Sequence, residues 1–141
     1  MEEGADHALS VLRAMVTIAD STVAKVSELT LTQFRALRTV AERTPVTMGA
    51  VALELAMNPS SVTRACERLV VLDLLQRAQN PLNRREILLA PTAKGRRLVE
   101  RVDHDRRVAL SAVLRRMDVE SRAAVVTAFE MFGVAAAAGK K

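Results

Sequence analysis

The most constraining feature of this sequence is a change of hydrophobic period between residues 58 and 91. Asn58 can cap a helix, and Pro59 takes the first helical position, where a missing N–H costs nothing. The apolar residues that follow recur at helical spacing: Val62, Cys66, Leu69 and Val70. Two short β-capable runs come next, Leu75–Gln79 and Glu86–Ala90, on either side of the turn signal Asn80-Pro81. The segment therefore predicts a helix that is followed directly by a β-hairpin.

A second short helix is predicted just before this unit. Thr47 can cap it, Val51 and Leu55 face inward, and it ends near Met57. Two short helices joined by about two residues, the second polar on its outer face, are typical of a helix-turn-helix. A helix-turn-helix followed by a hairpin is a winged helix, in which the second helix enters the major groove of DNA.

Longer helices are predicted on both sides of this unit. On the N-terminal side, apolar spacing predicts one helix over Ala5–Val26 and another that Thr32 caps and Pro45 ends. On the C-terminal side, Thr92 can cap a long helix and Asp118 a last one. We therefore predict a mainly α (α+β) protein, a winged helix-turn-helix with a two-stranded β wing, flanked by N- and C-terminal dimerisation helices.

The flanking helices carry more apolar surface than the small central module could cover. The last helix alone offers these candidates for burial: Val119, Val125, Val126, Phe129 and Phe132. A second copy of the chain could cover this surface, which predicts a homodimer; in the alternative, the flanking helices pack only against each other in a monomer. The 141 residues predict a single domain over 1–141, with the winged helix at 30–91 and dimerisation helices at 5–27 and 92–135.

The net charge of +5 is concentrated in one part of the chain. The segment from Asn58 to Arg97 holds eight basic and three acidic residues, whereas the charges of the remainder cancel. A local basic surface on a neutral remainder favours a polyanionic partner. Only three residues are aromatic, all of them Phe, which disfavours single-stranded nucleic acid and sugars, since both are bound by stacking on aromatic platforms. These observations favour double-stranded DNA.

The sequence also predicts the compartment. A single cysteine excludes an intrachain disulfide and fits a reducing environment. The N-terminus reads MEEGAD, which is acidic where a signal peptide is basic. The longest near-apolar stretch, MFGVAAAA, is shorter than the roughly 20 residues that a membrane span requires. We therefore expect a cytoplasmic protein that has no membrane partner.

The candidate DNA-binding residues lie on the outer face of the second helix and at the hairpin tip. They are Ser60, Ser61, Thr63, Arg64, Arg68, Arg84 and Arg85. Arg64 is the candidate for base contact, because arginine can donate two hydrogen bonds to guanine. The hydroxyls and backbone N–H groups near the helix N-terminus can hold phosphate oxygens, and a basic wing tip fits the narrow minor groove. The alternative for both places is an ordinary solvated surface.

These residues carry a resemblance to the MarR family of bacterial winged-helix transcription factors. The resemblance extends from about Ala8 to Phe132, and its most specific part is NPSSVTRACERLVVLDLLQRAQNPLNRREILLAPTAKGRRL. Thr63-Arg64 match the threonine-arginine pair that is usual in the family's recognition helix. The hairpin tip with Thr92 and Gly95 matches most of the family's wing pattern, DP-x-D-x-R followed by L-T-x-x-G.

The resemblance implies a homodimer that binds a pseudo-palindromic operator, usually as a repressor. By position, Arg85 corresponds to the wing arginine that enters the minor groove. Asn80 and Asn83 stand where the family favours aspartate, so the bond that orients this arginine is expected to be weaker. Asp73 stands where a glycine usually ends the recognition helix in a left-handed conformation.

The resemblance also implies a small-molecule effector, commonly phenolic or anionic, whereas other members of the family respond to cysteine oxidation or to metals. Cys66 lies on the inward stripe, where a thiol reacts poorly. Glu100 and His104 are one turn apart and could hold zinc with His7 of a partner copy, but a solvated acidic face is the simpler interpretation.

No catalytic motif is apparent, so we expect neither an enzyme nor a cofactor. Two alternatives to an operator-specific regulator remain at this point. One is a winged-helix protein-interaction module, and the other is a DNA-binding protein without sequence specificity.

Overall fold

The computed structural model describes residues 1–139 of the chain, which form six helices and three strands. The helices are α1 (Glu2–Val26), α2 (Leu31–Arg43), α3 (Met48–Leu55), α4 (Pro59–Val71), α5 (Ala93–Arg115) and α6 (Val119–Ala138). The strands are β1 (Val46–Thr47), β2 (Leu75–Asn80) and β3 (Asn83–Pro91). This architecture is the predicted winged helix-turn-helix between flanking helices.

Side-chain caps determine where most of the helices begin. The predicted caps of α3, α4 and α6 are confirmed: Thr47, Asn58 and Asp118. The predicted cap of α2, Thr32, is wrong, because the N-cap is Thr30. Thr30 accepts a hydrogen bond from the N–H of Gln33, whose side chain accepts one from the N–H of Thr30. This capping box satisfies two backbone donors at once, which a cap at Thr32 followed by Arg35 could not do.

The sheet has three antiparallel strands, in the order β1-β3-β2: β2 and β3 form the predicted two-stranded wing, and β1 is an additional strand. In the additional strand, Val46 pairs with Leu89 and Thr47 with Leu88. Two residues are too few to produce a recognisable alternation of polar and apolar positions, so the sequence pattern could not show this strand.

The predicted hairpin is present, and it is longer than the sequence pattern indicates. β2 continues to Asn80 and β3 begins at Asn83, so only Pro81 and Leu82 connect the two strands. The register is irregular between Gln79 and Asn80. The polar residues at the tip pair as strand residues, but they do not alternate with apolar residues. The sequence pattern therefore could not show that the strands extend this far. The tip is narrow and projects from an extended two-stranded ribbon.

One hydrophobic core joins α2, α3 and α4 to the sheet. Its largest fully buried side chains include Phe34, Leu37, Leu69, Leu75 and Leu89. Because residues of both α2 and α4 are buried in it, the core fixes the recognition helix to the rest of the winged helix.

The start of α5 is held against the end of α4. Thr92 accepts a hydrogen bond from the N–H of Gly95, which confirms it as the cap, and its hydroxyl donates to the carbonyl of Asp73 at 2.6 Å. A Cβ on Gly95 would lie 2.1 Å from the carbonyl oxygen of Leu74. Only glycine permits α5 to begin this close to the backbone that leads into the wing.

The chain divides after Arg106, within α5, into two compact units. In the first unit, α1 buries only Thr22 and Val23, both near its C-terminal end. The apolar stripe formed by Leu9, Leu12 and Val16 is exposed. The sequence predicted that this stripe would be buried within or between chains, and the single chain leaves it uncovered.

The second unit contains the end of α5 and all of α6. Arg122 donates a hydrogen bond to the carbonyl of Leu114 and another to that of Met117, which holds the connection between the two helices. None of the residues of α6 is buried. Phe129 and Phe132, which the sequence predicted to be buried, are exposed in the single chain. Exposed apolar surface of this extent is typical of an interaction site.

Candidate nucleic-acid interface

The recognition helix α4 has one buried face and one exposed basic face. Val62, Ala65, Cys66 and Leu69 are buried in the core. Arg64 and Arg68 are exposed one helical turn apart. The burial of the opposite face leaves these two guanidinium groups pointing into solvent. The arrangement can present two positive charges to a groove of DNA.

The hydroxyl groups at the N-terminus of α4 differ in their freedom to bind a phosphate. The hydroxyl of Ser60 donates to Oδ1 of Asn58 at 2.7 Å, and its backbone N–H donates to the same atom. The hydroxyl of Thr63 donates to the carbonyl of Pro59 at 2.9 Å. The backbone N–H of Ser61 donates to the carbonyl of Asn58. The hydroxyl hydrogens of Ser60 and Thr63 are therefore already donated, and a phosphate would have to replace Oδ1 of Asn58 or the carbonyl of Pro59 as their acceptor. Within residues 1–139, the hydroxyl of Ser61 makes no such bond and can donate to a phosphate directly.

Arg84 and Arg85 are exposed at the wing tip, and a set of side-chain hydrogen bonds orders its backbone. Gln79 donates from its amide to the carbonyl of Arg84 at 2.9 Å. Asn83 accepts from the backbone N–H of Arg85 at 3.1 Å. The Asn80 side chain accepts from the N–H of Leu82 and donates to the carboxylate of Glu86. These bonds order the backbone of the tip, and among residues 1–139 neither guanidinium group has a hydrogen-bond or ion-pair partner.

The residues that depart from the family pattern have identifiable roles in this geometry. Asn83 bonds to the backbone of Arg85, so it orders the strand on which the guanidinium is carried. Asp73 adopts a positive φ of 59°, the left-handed conformation that the family resemblance implied for this position. An aspartate tolerates this conformation less well than glycine does. Here the carbonyl of Asp73 accepts the Thr92 hydroxyl bond, which helps to hold the turn.

The first turn of α2 lies beside the recognition helix, which sequence reasoning missed. Thr30, Thr32 and Gln33 line a groove of about 260 Å³ together with Ser61 and Arg64. No pattern within either segment indicates this proximity, because it arises only from the packing of α2 on α4. The groove widens the candidate interface from one helix to two.

Part of the excess positive charge between Asn58 and Arg97 has a structural role. Lys94 donates from Nζ to the carbonyl of Leu72 at 3.0 Å, at the C-terminal end of α4. A cation at this end of a helix interacts favourably with the unpaired carbonyl groups. Arg77, Arg96 and Arg97 are exposed and belong to the same basic segment. They are available to a polyanion in addition to the predicted contacts.

Cys66 is fully buried in the core of the winged helix. Burial, with a smaller effect of the neighbouring Glu67 charge, raises the pKa of its thiol to about 11. The thiol is therefore protonated and shielded near neutral pH, a state in which oxidation is slow.

The structure does not bring together the residues that the sequence suggested as a possible zinc site. His104 and Glu100 are exposed on α5, and His7 pairs through its ring with the carbonyl of Glu3 in α1. Within residues 1–139, no three side chains of the metal-binding types come together.

By length and composition, α6 could cross a membrane: its 20 residues have a mean hydropathy of 1.3. This differs from the sequence expectation, which considered only the shorter run MFGVAAAA and predicted no span. The helix also carries Glu120, Arg122 and Glu130, and an exposed interface helix meets the same criterion. Length and hydropathy alone therefore do not distinguish a membrane from a protein partner.

Comparisons with known proteins agree on the fold. A sequence profile of the MarR family matches residues 27–86. An uncharacterised HTH-type transcriptional regulator of Mycobacterium bovis, Mb0904, is 32% identical over 74 residues, which are 52% of this chain and 52% of that protein. The match therefore spans about half the length of that relative.

Two solved structures extend the similarity to nearly the whole chain. RV1404 from Mycobacterium tuberculosis is 31% identical, with a TM-score of 0.85, and the match covers 96% of this chain and 93% of that one. FabT of Streptococcus pneumoniae, solved in complex with DNA, has a TM-score of 0.77 at 16% identity, covers 99% of both chains and shows the shared fold. Mb0904 is named as a transcriptional regulator, which agrees with the prediction from the sequence that this chain is not an enzyme. The profile match, the described fold and the full-length similarity together show that this chain belongs to the MarR family of winged-helix transcriptional regulators.

Proposed function

We propose that this protein is a homodimer that binds a pseudo-palindromic operator in double-stranded DNA and represses transcription. The observation that carries the proposal is the pairing of an exposed basic face on α4 with an ordered basic wing tip on one rigid core. A recognition helix suits the major groove and a narrow basic ribbon suits the minor groove, so both can act on one half-site. FabT, which has the same fold, was solved bound to DNA.

The proposed contacts divide into base reading and backbone positioning. Arg64 reads a base edge, and Arg85 enters the minor groove. Ser60, Ser61, Thr63, Arg68 and Arg84 contact phosphates. Phosphate contacts fix the register of a protein on the duplex, whereas base contacts select the sequence.

The homodimer is supported by uncovered apolar surface. In the first compact unit, the stripe of Leu9, Leu12 and Val16 is exposed, and in the second, Phe129 and Phe132 are exposed. Two copies of the chain bury such surfaces symmetrically, and a dimer places two recognition helices at a spacing that matches two half-sites. This dimer fits the organisation proposed from the sequence. In that proposal the chain is a single domain, with a winged helix at 30–91 and dimerisation helices at 5–27 and 92–135.

Repression, an effector and a cytoplasmic location complete the proposal, and they rest on family membership. A small molecule that binds the dimer would release DNA by favouring a conformation with the wrong half-site spacing. No residue pattern defines the chemistry of that molecule.

The test is selection of bound fragments from the source genome, followed by fluorescence anisotropy of the best site at two salt concentrations. We expect a palindromic site that is bound at least about a thousandfold more tightly than random DNA. The affinity should fall steeply with salt, because each phosphate contact releases counterions.

Two results would contradict the proposal. Weak, salt-sensitive binding to every sequence would indicate a DNA-binding protein without operator specificity. Absence of DNA binding, together with a salt-insensitive complex with another protein, would indicate a protein-interaction module.

A further inference from the structure

Three helices of the first compact unit meet at one aromatic ring. Phe34 of α2 is completely buried. The guanidinium of Arg38, one turn along the same helix, lies 5.2 Å from the ring centroid, and that of Arg106 on α5 lies 4.9 Å from it. Both distances are within the range of a cation–π interaction.

The two arginines connect the ring to the neighbouring helices by directional bonds. Arg38 forms an ion pair with Asp103 of α5. Arg106 donates from Nε to the hydroxyl of Thr22 and from Nη2 to the carbonyl of Ala19, both at 3.3 Å. The partners of Arg106 lie on α1. A single guanidinium therefore touches all three helices, because it extends from α5, lies over a ring of α2 and bonds to α1.

The cluster holds two positive charges and one negative charge, and all three are partly removed from water. Burial and the nearby positive charge of Arg38 lower the pKa of Arg106, and Asp103 and Asp20 act in the opposite direction. Within the described residues, the buried Nε of Arg38 has no hydrogen-bond partner. An unpaired buried donor is unfavourable, so this arrangement is not what maximal stability alone would select.

The cluster lies where it can control the attachment of α1 to the winged helix. α1 is 25 residues long and buries only Thr22 and Val23, and Thr22 is a partner of Arg106. Apolar contacts over so short a stretch would let α1 slide and rotate on the winged helix. The forked guanidinium of Arg106, which has two acceptors on α1, specifies one orientation of that helix. The core, in turn, fixes α2 to the recognition helix α4.

We propose that Arg38, Asp103 and Arg106 are positioning residues that set the half-site spacing which the dimer recognises. The proposal rests on the function proposed above. They touch no DNA themselves. They orient the exposed apolar stripe of α1, through which the dimer forms, relative to α4. A change in this orientation moves the two recognition helices apart or together, and the preferred operator spacing changes with it.

The test compares Arg106→Met and Arg106→Lys with the wild type on the selected operator and on versions with one base pair inserted or removed between the half-sites. One inserted base pair shifts and rotates a half-site, so the wild type should prefer the native spacing by at least about tenfold. Arg106→Met should reduce this preference to less than about threefold while its affinity for a single half-site stays within about twofold. The lysine variant keeps the charge but not the fork, so its preference should be intermediate. Arg101→Met, an exposed arginine on the same helix, is the matched control.

A thermal unfolding measurement accompanies each variant. If Arg106→Met lowers the melting temperature but keeps the full spacing preference, the cluster is only structural and the proposal is overturned. If Arg106→Met does not fold, Arg106→Lys and Arg38→Lys decide the question in the same assay. A wild type that binds its operator at every spacing also overturns the inference, whereas a wild type that prefers no DNA sequence overturns the proposed function itself.

Discussion

Arg64 and Arg68 share the exposed face of α4, but we expect them to act differently on DNA. Arg64 lies in the groove that the first turn of α2 forms with α4, whereas Arg68 lies one turn further along the helix. A recognition helix reads bases mainly with its N-terminal residues. The more distal arginine then faces the phosphate backbone.

Arg64→Ala should weaken binding to the selected operator by about 1–3 kcal/mol and relax its sequence preference, because a base contact is lost. Arg68→Ala should weaken binding to all sequences alike and reduce the salt slope by about one, because a phosphate contact is lost. Anisotropy titrations on operator and random DNA at several salt concentrations separate the two effects. An equal loss for Arg64→Ala on both kinds of DNA would refute its role in base reading.

Cys66 gives the protein a pH-dependent term in its stability. Its pKa is raised from an ordinary value of 9.0 to about 11 by burial. The native state therefore retains a proton that the unfolded state loses, and the stabilisation is complete below pH 9 and disappears as the pH rises to 11. The loss amounts to about 2–3 kcal/mol of the free energy of unfolding.

Urea denaturation between pH 8 and 11 should show this loss in the wild type relative to Cys66→Ala, in which the titrating group is absent. The comparison with the variant cancels the contributions of all other groups. Parallel stability profiles of the two proteins would contradict the prediction.

At the scale of elements, the junction between α5 and the wing depends on one glycine. A Cβ at Gly95 would lie 2.1 Å from the carbonyl oxygen of Leu74, so Gly95→Ala must displace backbone. We expect a loss of about 1–3 kcal/mol in the free energy of unfolding, as for other overpacked sites. Gly133→Ala is the control, because a Cβ there meets nothing within 4 Å. In a helix interior that substitution should stabilise by up to about 1 kcal/mol. Similar unfolding curves for the two variants would contradict the close approach.

The wing should contribute to specificity at positions that α4 does not reach. Arg85→Ala should weaken binding and remove discrimination among base pairs that flank the major-groove contacts, because the arginine no longer enters the minor groove. Arg77→Ala removes an equal charge from β2, away from the tip, and should lower the affinity without changing the preference. Binding to a library of flanking sequences measures both variants. If Arg85→Ala keeps the flanking preference, the wing does not engage the groove.

Much of this organisation could be predicted from the sequence, because it depends on local chemistry. The caps Thr47 and Asn58 follow from the preferences of single residues, whereas the left-handed conformation of Asp73 was implied by the resemblance to the family. What could not be predicted depends on partners distant in the sequence. The two-residue strand β1 exists only because Leu88 and Leu89 pair with it.

The candidate site shows the same division. The basic residues of α4 and the wing tip were evident from their positions in the two predicted elements. The groove with Thr32 and the cluster of Arg38 with Arg106 were not evident, because each requires contacts between helices that are far apart in the chain.

At the scale of the whole molecule, the uncovered apolar surface is the main property to be explained. α1 exposes Leu12 to 56% and α6 exposes Phe132 to 70%. A stable dimer interface buries about 1,200–2,000 Å² in total and needs apolar residues of this kind at its centre. A membrane would also accept α6, but it would not explain the separate apolar stripe on α1, which belongs to a helix with charged residues throughout.

Leu12→Asp should therefore convert the protein to a monomer, because a desolvated carboxylate at the centre of an interface is unfavourable. Operator affinity should fall by at least about a hundredfold, since two half-sites can then no longer be bound together. Leu53→Asp is the matched control: Leu53 of α3 is 84% exposed and lies outside the proposed interface, so the protein should remain a dimer. Sedimentation equilibrium and anisotropy report the two properties independently. A dimer that survives Leu12→Asp would exclude the α1 stripe from the interface, and a wild-type monomer that sediments with lipid vesicles would assign α6 to a membrane.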